Sequence, residues 1–196
     1  MASETSVVTP ERFATGIDNF KAWMAAIPER HKEFQDHYDE YVPNAQDIEA
    51  VKRLVQAHGV KVLTLGEHWC PDVWRGLPVM AKIAEHTGME HRMFPRDQHK
   101  DIMSEFLNKG EFESIPTMVF YDRNHRHLGT WIERPAIANE QMAEVRARVM
   151  PNGAPAEGPE RDRLMAEYRV ETNKLAADWR HATLKEMRQL LEAKLR

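Results

Sequence analysis

The sequence predicts an α/β fold, a mixed four-stranded sheet with helices on both faces. Three observations carry this. Between residues 60 and 150, short β-branched runs bounded by glycine alternate with helical apolar spacings. The first two runs are joined by a helical crossover, so they pair in parallel. The last two flank a polar turn, Asp122-Arg123-Asn124-His125, so they pair as an antiparallel hairpin.

The elements follow in order. Thr9 is suited to cap a helix that opens with Pro10. Phe13, Ile17, Phe20, Met24 and Ile27 then recur on one helical face, and Pro28 ends the run. Phe34, Tyr38 and Tyr41 indicate a short second helix. A third runs from Asn44 to His58, with Ile48, Val51, Leu54 and Val55 inward and Gly59 as its stop. Val60 to Leu65 reads as a buried strand. A helix runs from Cys70 to His86 and stops at Gly88. Glu90 to Phe94 is a second strand, and Asp101 to Lys109 a short helix closed by Gly110. Thr117 to Tyr121 and Arg126 to Ile132 are the hairpin strands. A helix from Ile137 to Met150 closes this unit.

Residues 151–159 are rich in Pro and Gly and read as a linker. Beyond them, Leu164, Tyr168, Leu175, Trp179, Leu184, Met187, Leu191 and Leu195 keep a helical spacing, with a bend placed near His181-Ala182-Thr183. The organisation is thus a helical extension (1–59), an α/β core (60–150), a linker and a helical tail (160–196), together one compact domain. The tail stripe reads as packing rather than a cofactor box.

Composition bounds the function. The chain has 196 residues, 42% apolar and 30% charged. Its 27 Lys and Arg against 31 Asp and Glu leave a net charge of −4, which supports neither a general nucleic-acid nor a membrane role. The single cysteine, Cys70, excludes an intramolecular disulfide, a cysteine-rich zinc site and a single-chain dithiol cycle. The first residues carry no basic and apolar regions of a signal peptide, and no apolar run approaches the ~20 residues of a spanning helix. The expected location is cytoplasmic.

Cys70 stands in Trp69-Cys70-Pro71-Asp72-Val73, after the first strand and at a helix start. Unpaired backbone N–H groups and the positive helix end favour a thiolate there. Asp72 opposes it by charge. The segment resembles the Trp-Cys-x-x-Cys site of the thioredoxin-like superfamily, and Ser114-Ile115-Pro116-Thr117 resembles its second hallmark, a cis proline facing the cysteine. The sequence is similar to a bacterial group of thioredoxin family proteins of largely undefined function. That group carries an Arg-Asp, a Ser-Ile-Pro and a Gly-x-Trp-x-x-Arg-Pro, here Arg96-Asp97, Ser114 to Pro116, and Gly129 to Pro135. The resemblance covers Val60 to Met150, more weakly the tail through Trp179. It departs where the family keeps its chemistry: Val73 replaces the second cysteine, and Thr64 stands where a buried acid shuttles protons.

What the resemblance implies is chemistry through one cysteine, a monothiol thiol–disulfide oxidoreductase. Cys70 is then nucleophile, Pro116 with Ile115 the platform for a substrate backbone, and Trp69, Pro71 and Asp72 the surround. Arg96 and Arg134 could bind an anion of the substrate or stabilise the thiolate; equally, each could pair with Asp97, Asp72 or Glu133. An external thiol must resolve the mixed disulfide. No metal or prosthetic group is implied; glutathione or another low-molecular-weight thiol would be co-substrate, and the partner a thiol- or disulfide-bearing protein or small thiol. The competing reading is a redox-inactive protein that binds a partner, or a second copy of itself, through its extra helices. His68 reads as a solvated loop residue. His125 and His127 could share a strand face, but no ligand spacing accompanies them.

Overall fold

The computed structural model describes residues 6–195. α1 (Pro10–Ala14) starts on Thr9, whose hydroxyl accepts from the Arg12 N–H. The single helix predicted from Pro10 to Ile27 is corrected here. The chain leaves α1 at Thr15, forms a two-residue strand β1 (Ile17–Asp18), and becomes helical again as α2 (Asn19–Ala26). Gly16 sits so close to the Phe94 ring and Arg92 Cβ that any side chain there would collide. Phe13 and Phe20 both reach the core, but from different helices. Seven residues are about two helical turns, so the spacing imitates one continuous face.

α3 (His31–Glu40) and α4 (Ala45–His58) follow. Asn44 caps α4 by accepting from Gln46 and Asp47 N–H groups, and Gly59 ends it in the left-handed conformation. The core elements are β2 (Lys61–Gly66), α5 (Pro71–Thr87), β3 (Glu90–Pro95), α6 (Lys100–Met103), β4 (Thr117–Tyr121), β5 (His127–Ile132) and α7 (Ala136–Val149). Pro78 lies inside α5 and removes one helical N–H there. A short 3-10 turn spans Arg96–Gln98. α6 is shorter than the predicted helix over Asp101–Lys109, because the chain turns back at Asn108, which pairs with Phe112.

The sheet order is β1-β3-β2-β4-β5. β2 and β3 are parallel; β2 with β4, and β4 with β5, are antiparallel. These are the four predicted strands. β1 adds a fifth at the outer edge of β3. Successive strand residues face opposite sides, so the sheet has two cores. Leu63, Leu65, Val119 and Tyr121 pack with Phe13, Phe20, Trp23 and Ile102. Val62, Met118, Phe120 and Leu128 pack with Val51, Val55, Met80 and Ile83.

The tail forms α8 (Pro159–Asn173) and α9 (Ala176–Lys194). The break falls at Lys174–Leu175, not at the predicted His181–Thr183. Residues 181–183 stay helical because Thr183 is buried and its hydroxyl donates to the Trp179 carbonyl within the helix. Leu184, Met187 and Leu191 of α9 are buried in the second core. α7 and α8 share a smaller apolar cluster of Val145, Val149, Met150 and Tyr168.

Candidate active site

The site forms where β2 ends and α5 begins. Cys70 is the residue before the helix, in extended conformation, with Pro71 at the first helical position. Its carbonyl accepts from the Val73 and Trp74 N–H groups at 3.0 and 3.2 Å, which closes the first turn. The sulfur is half-buried and faces the Ile115 carbonyl at 3.7 Å. The Ile115–Pro116 bond is cis. Gly76 lets this proline press on α5, since a Cβ at Gly76 would stand 3.0 Å from Pro116 Cγ. The Ile115 side chain is buried, so its backbone is what faces the cysteine. Among the described residues, the Ile115 N–H has no hydrogen-bond partner.

The electrostatics hold the thiol protonated. Burial pushes the Cys70 pKa above its ordinary value, and the Asp72 carboxylate adds to this. The Val73 and Asp72 N–H groups and the Arg134 guanidinium pull the other way without overcoming it. The helix start does favour the thiolate, as expected, but desolvation wins.

Each predicted residue can be placed. Trp69 is 46% exposed, and the Arg96 guanidinium lies 5.5 Å over its ring. Arg96 also pairs with Asp97 at 2.8 Å and Glu113 at 3.1 Å. Arg134 follows Glu133, which takes the left-handed conformation and donates its N–H to the Pro116 carbonyl at 2.7 Å. That turn aims Arg134 at Asp72, where it donates at 2.5 Å, with further bonds to Glu133 and Asn139. Both arginines are therefore at the site, and both are engaged by carboxylates. Pro71 and Trp74 line a cleft of about 210 Å3 between α3, α5 and the α8–α9 junction.

Val73 is fully buried where a resolving cysteine would stand. Thr64 is buried and bonds His91 Nε2 at 2.9 Å. His68 is corrected: it is half-buried, 3.9 Å from both Glu29 and Glu67, and its carbonyl accepts from the Trp74 indole. His125 lies in the turn before β5 rather than on a strand face.

Two residues escaped the sequence. Arg75 lies 3.8 Å from Asp72, donates to Asn173 at 3.0 Å and stacks over Trp179, tying α5 to the tail. Its i,i+3 spacing from Asp72 was the available signal. Glu67 is buried and accepts the Asp97 N–H at 2.7 Å, fixing the loop after β3; nothing local marked it. Among the described residues no group of three or more His, Cys, Asp or Glu could hold a metal ion, and no helix is long and apolar enough to cross a membrane.

Comparison with known proteins follows from this geometry. The family model described as thioredoxin matches residues 17–147. A crystal structure of a protein of unknown function from Pseudomonas aeruginosa aligns with 97% of this chain and 99% of its own, at 17% identity and a TM-score of 0.65. A crystal structure of an HIV epitope scaffold aligns with 96% of this chain and 99% of its own, at 17% identity and a TM-score of 0.66. At that identity the likeness is one of fold. No curated protein matches.

Proposed function

Since the chain belongs to the thioredoxin family, we propose that it is a monothiol thiol–disulfide exchange protein acting through Cys70. The observation that carries this is the half-buried sulfur 3.7 Å from the Ile115 carbonyl, beside an Ile115 N–H that has no partner among the described residues. An extended segment can pair with that backbone and bring its disulfide to the sulfur. The Cys70 thiol gives its proton to solvent. The thiolate attacks one sulfur of R–S–S–R′, the S–S bond breaks, and R′–S⁻ leaves. This yields Cys70–S–S–R. Val73 supplies no second thiol, so an external thiolate R″–S⁻ attacks the R sulfur, releasing R″–S–S–R and the Cys70 thiolate. The reading includes a low-molecular-weight thiol such as glutathione in that role.

The raised thiol pKa makes the first step slow at neutral pH and faster in alkali. The same observation favours a second reading, a module that binds an extended segment without exchanging sulfur. Incubation of the full chain with oxidised glutathione between pH 6 and 9.5, followed by intact mass spectrometry, separates the two. Exchange gives one glutathione adduct on Cys70, faster as pH rises, reversed by added thiol and missing in Cys70→Ser. If the folded chain gains no adduct at pH 9.5 while the unfolded chain does, the exchange reading fails and the binding reading stands.

A further inference from the structure

We propose that a cleft along the outer strand β5 binds an organic cation, an ammonium or amidinium group on a small ligand. The cleft measures about 630 Å3, within the range of small-molecule sites. One wall is the face of β5 that carries His127 and Thr130, continued by Tyr121 of β4. The opposite wall is Glu105 and Phe106, after α6. Ser6 and Val8 border it. The site is separate from Cys70: Tyr121 is the end of β4 away from Pro116.

The polar groups of this cleft are mainly acceptors. His125 Nε2 lies 2.6 Å from the Val8 carbonyl, so that nitrogen carries the hydrogen. Burial lowers the ring's pKa, which keeps it neutral and leaves Nδ1 as a bare lone pair. Among the described residues, Nδ1 is buried without a partner, and so is the Tyr121 hydroxyl. Glu105 receives the Ser6 hydroxyl at 2.6 Å and the Val7 N–H at 2.5 Å, and its two oxygens retain acceptor capacity. Thr130 Oγ1 is 2.9 Å from His127 Nε2. Among the described residues no lysine or arginine lines the cleft, and Glu105 is the carboxylate that does.

The rings complete the argument. Phe106 and His127 stand 5.7 Å apart at 52°, and Tyr121 and His127 6.0 Å apart at 55°. Ring faces beside a carboxylate attract a cation. The neighbouring rings already hold a cation, from the β2 residue that pairs with Tyr121. Lys61 Nζ lies 5.1 Å over Phe13, whose ring meets Tyr121 and His125 edge-on. An anion would meet Glu105, and among the described residues no cationic side chain lines the cleft to receive it; Lys61 and Lys194 act on His125 and His127 from outside the lining.

Three probes of one shape test this: benzamidine, its neutral isostere benzamide, and the anion benzoate. Each is titrated into the 15N-labelled full chain and followed by backbone amide shifts. Benzamidine is expected to saturate, to move the Phe106, His127 and Thr130 amides, and to bind at least about tenfold tighter than benzamide, as a charge-assisted contact requires. Benzoate is expected to move none of them. Glu105→Gln keeps the side-chain shape and is expected to weaken benzamidine about tenfold. Thr130→Val leaves the Ser6 and Val7 contacts in place and is expected to weaken it less. Equal binding of benzamidine and benzamide, unchanged benzamidine binding in Glu105→Gln, or shifts confined to the Cys70 loop would each overturn the proposal.

Discussion

Asp72→Asn is the sharpest perturbation of the Cys70 site. Asp72 lies in the first turn of α5, two residues from the sulfur, with its carboxylate held by Arg134 and more loosely by Arg75. A bare charge ~4–6 Å from a titrating group shifts its pKa by ~1–3 units. The two guanidiniums offset much of that charge, so removing it should lower the Cys70 pKa by ~1 unit, tenfold in thiolate fraction well below the pKa. A lower-pKa thiolate is also a weaker nucleophile, with a Brønsted slope of ~0.4–0.5, so the net gain in rate at pH 7 is ~3-fold. At high pH the variant should be slower than the parent by a similar factor. Stability should move the other way. A first-turn acid contributes ~0.3–1 kcal/mol against the helix dipole, and Arg134 loses its main partner. The assay is the rate of iodoacetamide labelling against pH, with thermal denaturation alongside. A labelling midpoint that stays put or rises would refute the assignment of Asp72 and leave burial alone to hold the thiol.

Three further outcomes are expected. His91 is buried with a pKa lowered to about 3, so the folded chain keeps it neutral. A depressed folded pKa gives stability that is present above the unfolded value of ~6.5 and is lost as pH falls toward 3. Denaturant melts should therefore show about 2 kcal/mol lost from this group between pH 7 and pH 5. Leu191→Ala, at 0% exposure in α9, should destabilise by ~2–5 kcal/mol, read as a lower urea midpoint; a loss below ~1 kcal/mol would detach the tail from the core. Val73→Cys should lose ~0.5–1.5 kcal/mol of packing when reduced but close a disulfide to Cys70 one helical turn away, so thiol titration should give no free thiol after oxidation and two after reduction.

Much of this was legible in the sequence because local and global signals agree there. Strand runs bounded by glycine, the Thr9 cap with Pro10 and the Gly59 stop each fix their element without help from distant residues. The reading failed where tertiary contact decides. Gly16 breaks a plausible helix because Phe94, far along the chain, leaves no room for a side chain. The tail breaks at Lys174–Leu175 beside Thr172 and Asn173, which receive Arg75. At the site, the residue types were visible but the balance was not. At Cys70 the helix start favours the thiolate and Asp72 opposes it, so the sequence leaves the sign of the shift open; three-dimensional burial decides it. Arg134 and Arg96 were read with two open roles; the geometry gives both to carboxylates.

The place of α9 has a consequence for synthesis. A ribosome delivers the sheet strands β2 to β5 well before it delivers residues 176–194. Until α9 emerges, the face bearing Phe120, Leu128 and Trp131 lacks Leu184, Met187 and Leu191 to cover it. The nascent chain thus carries a nearly finished sheet with one side incompletely covered by apolar side chains, a surface that invites self-association or a chaperone. Folding of the second core is therefore tied to the end of translation of α9 rather than to completion of the sheet.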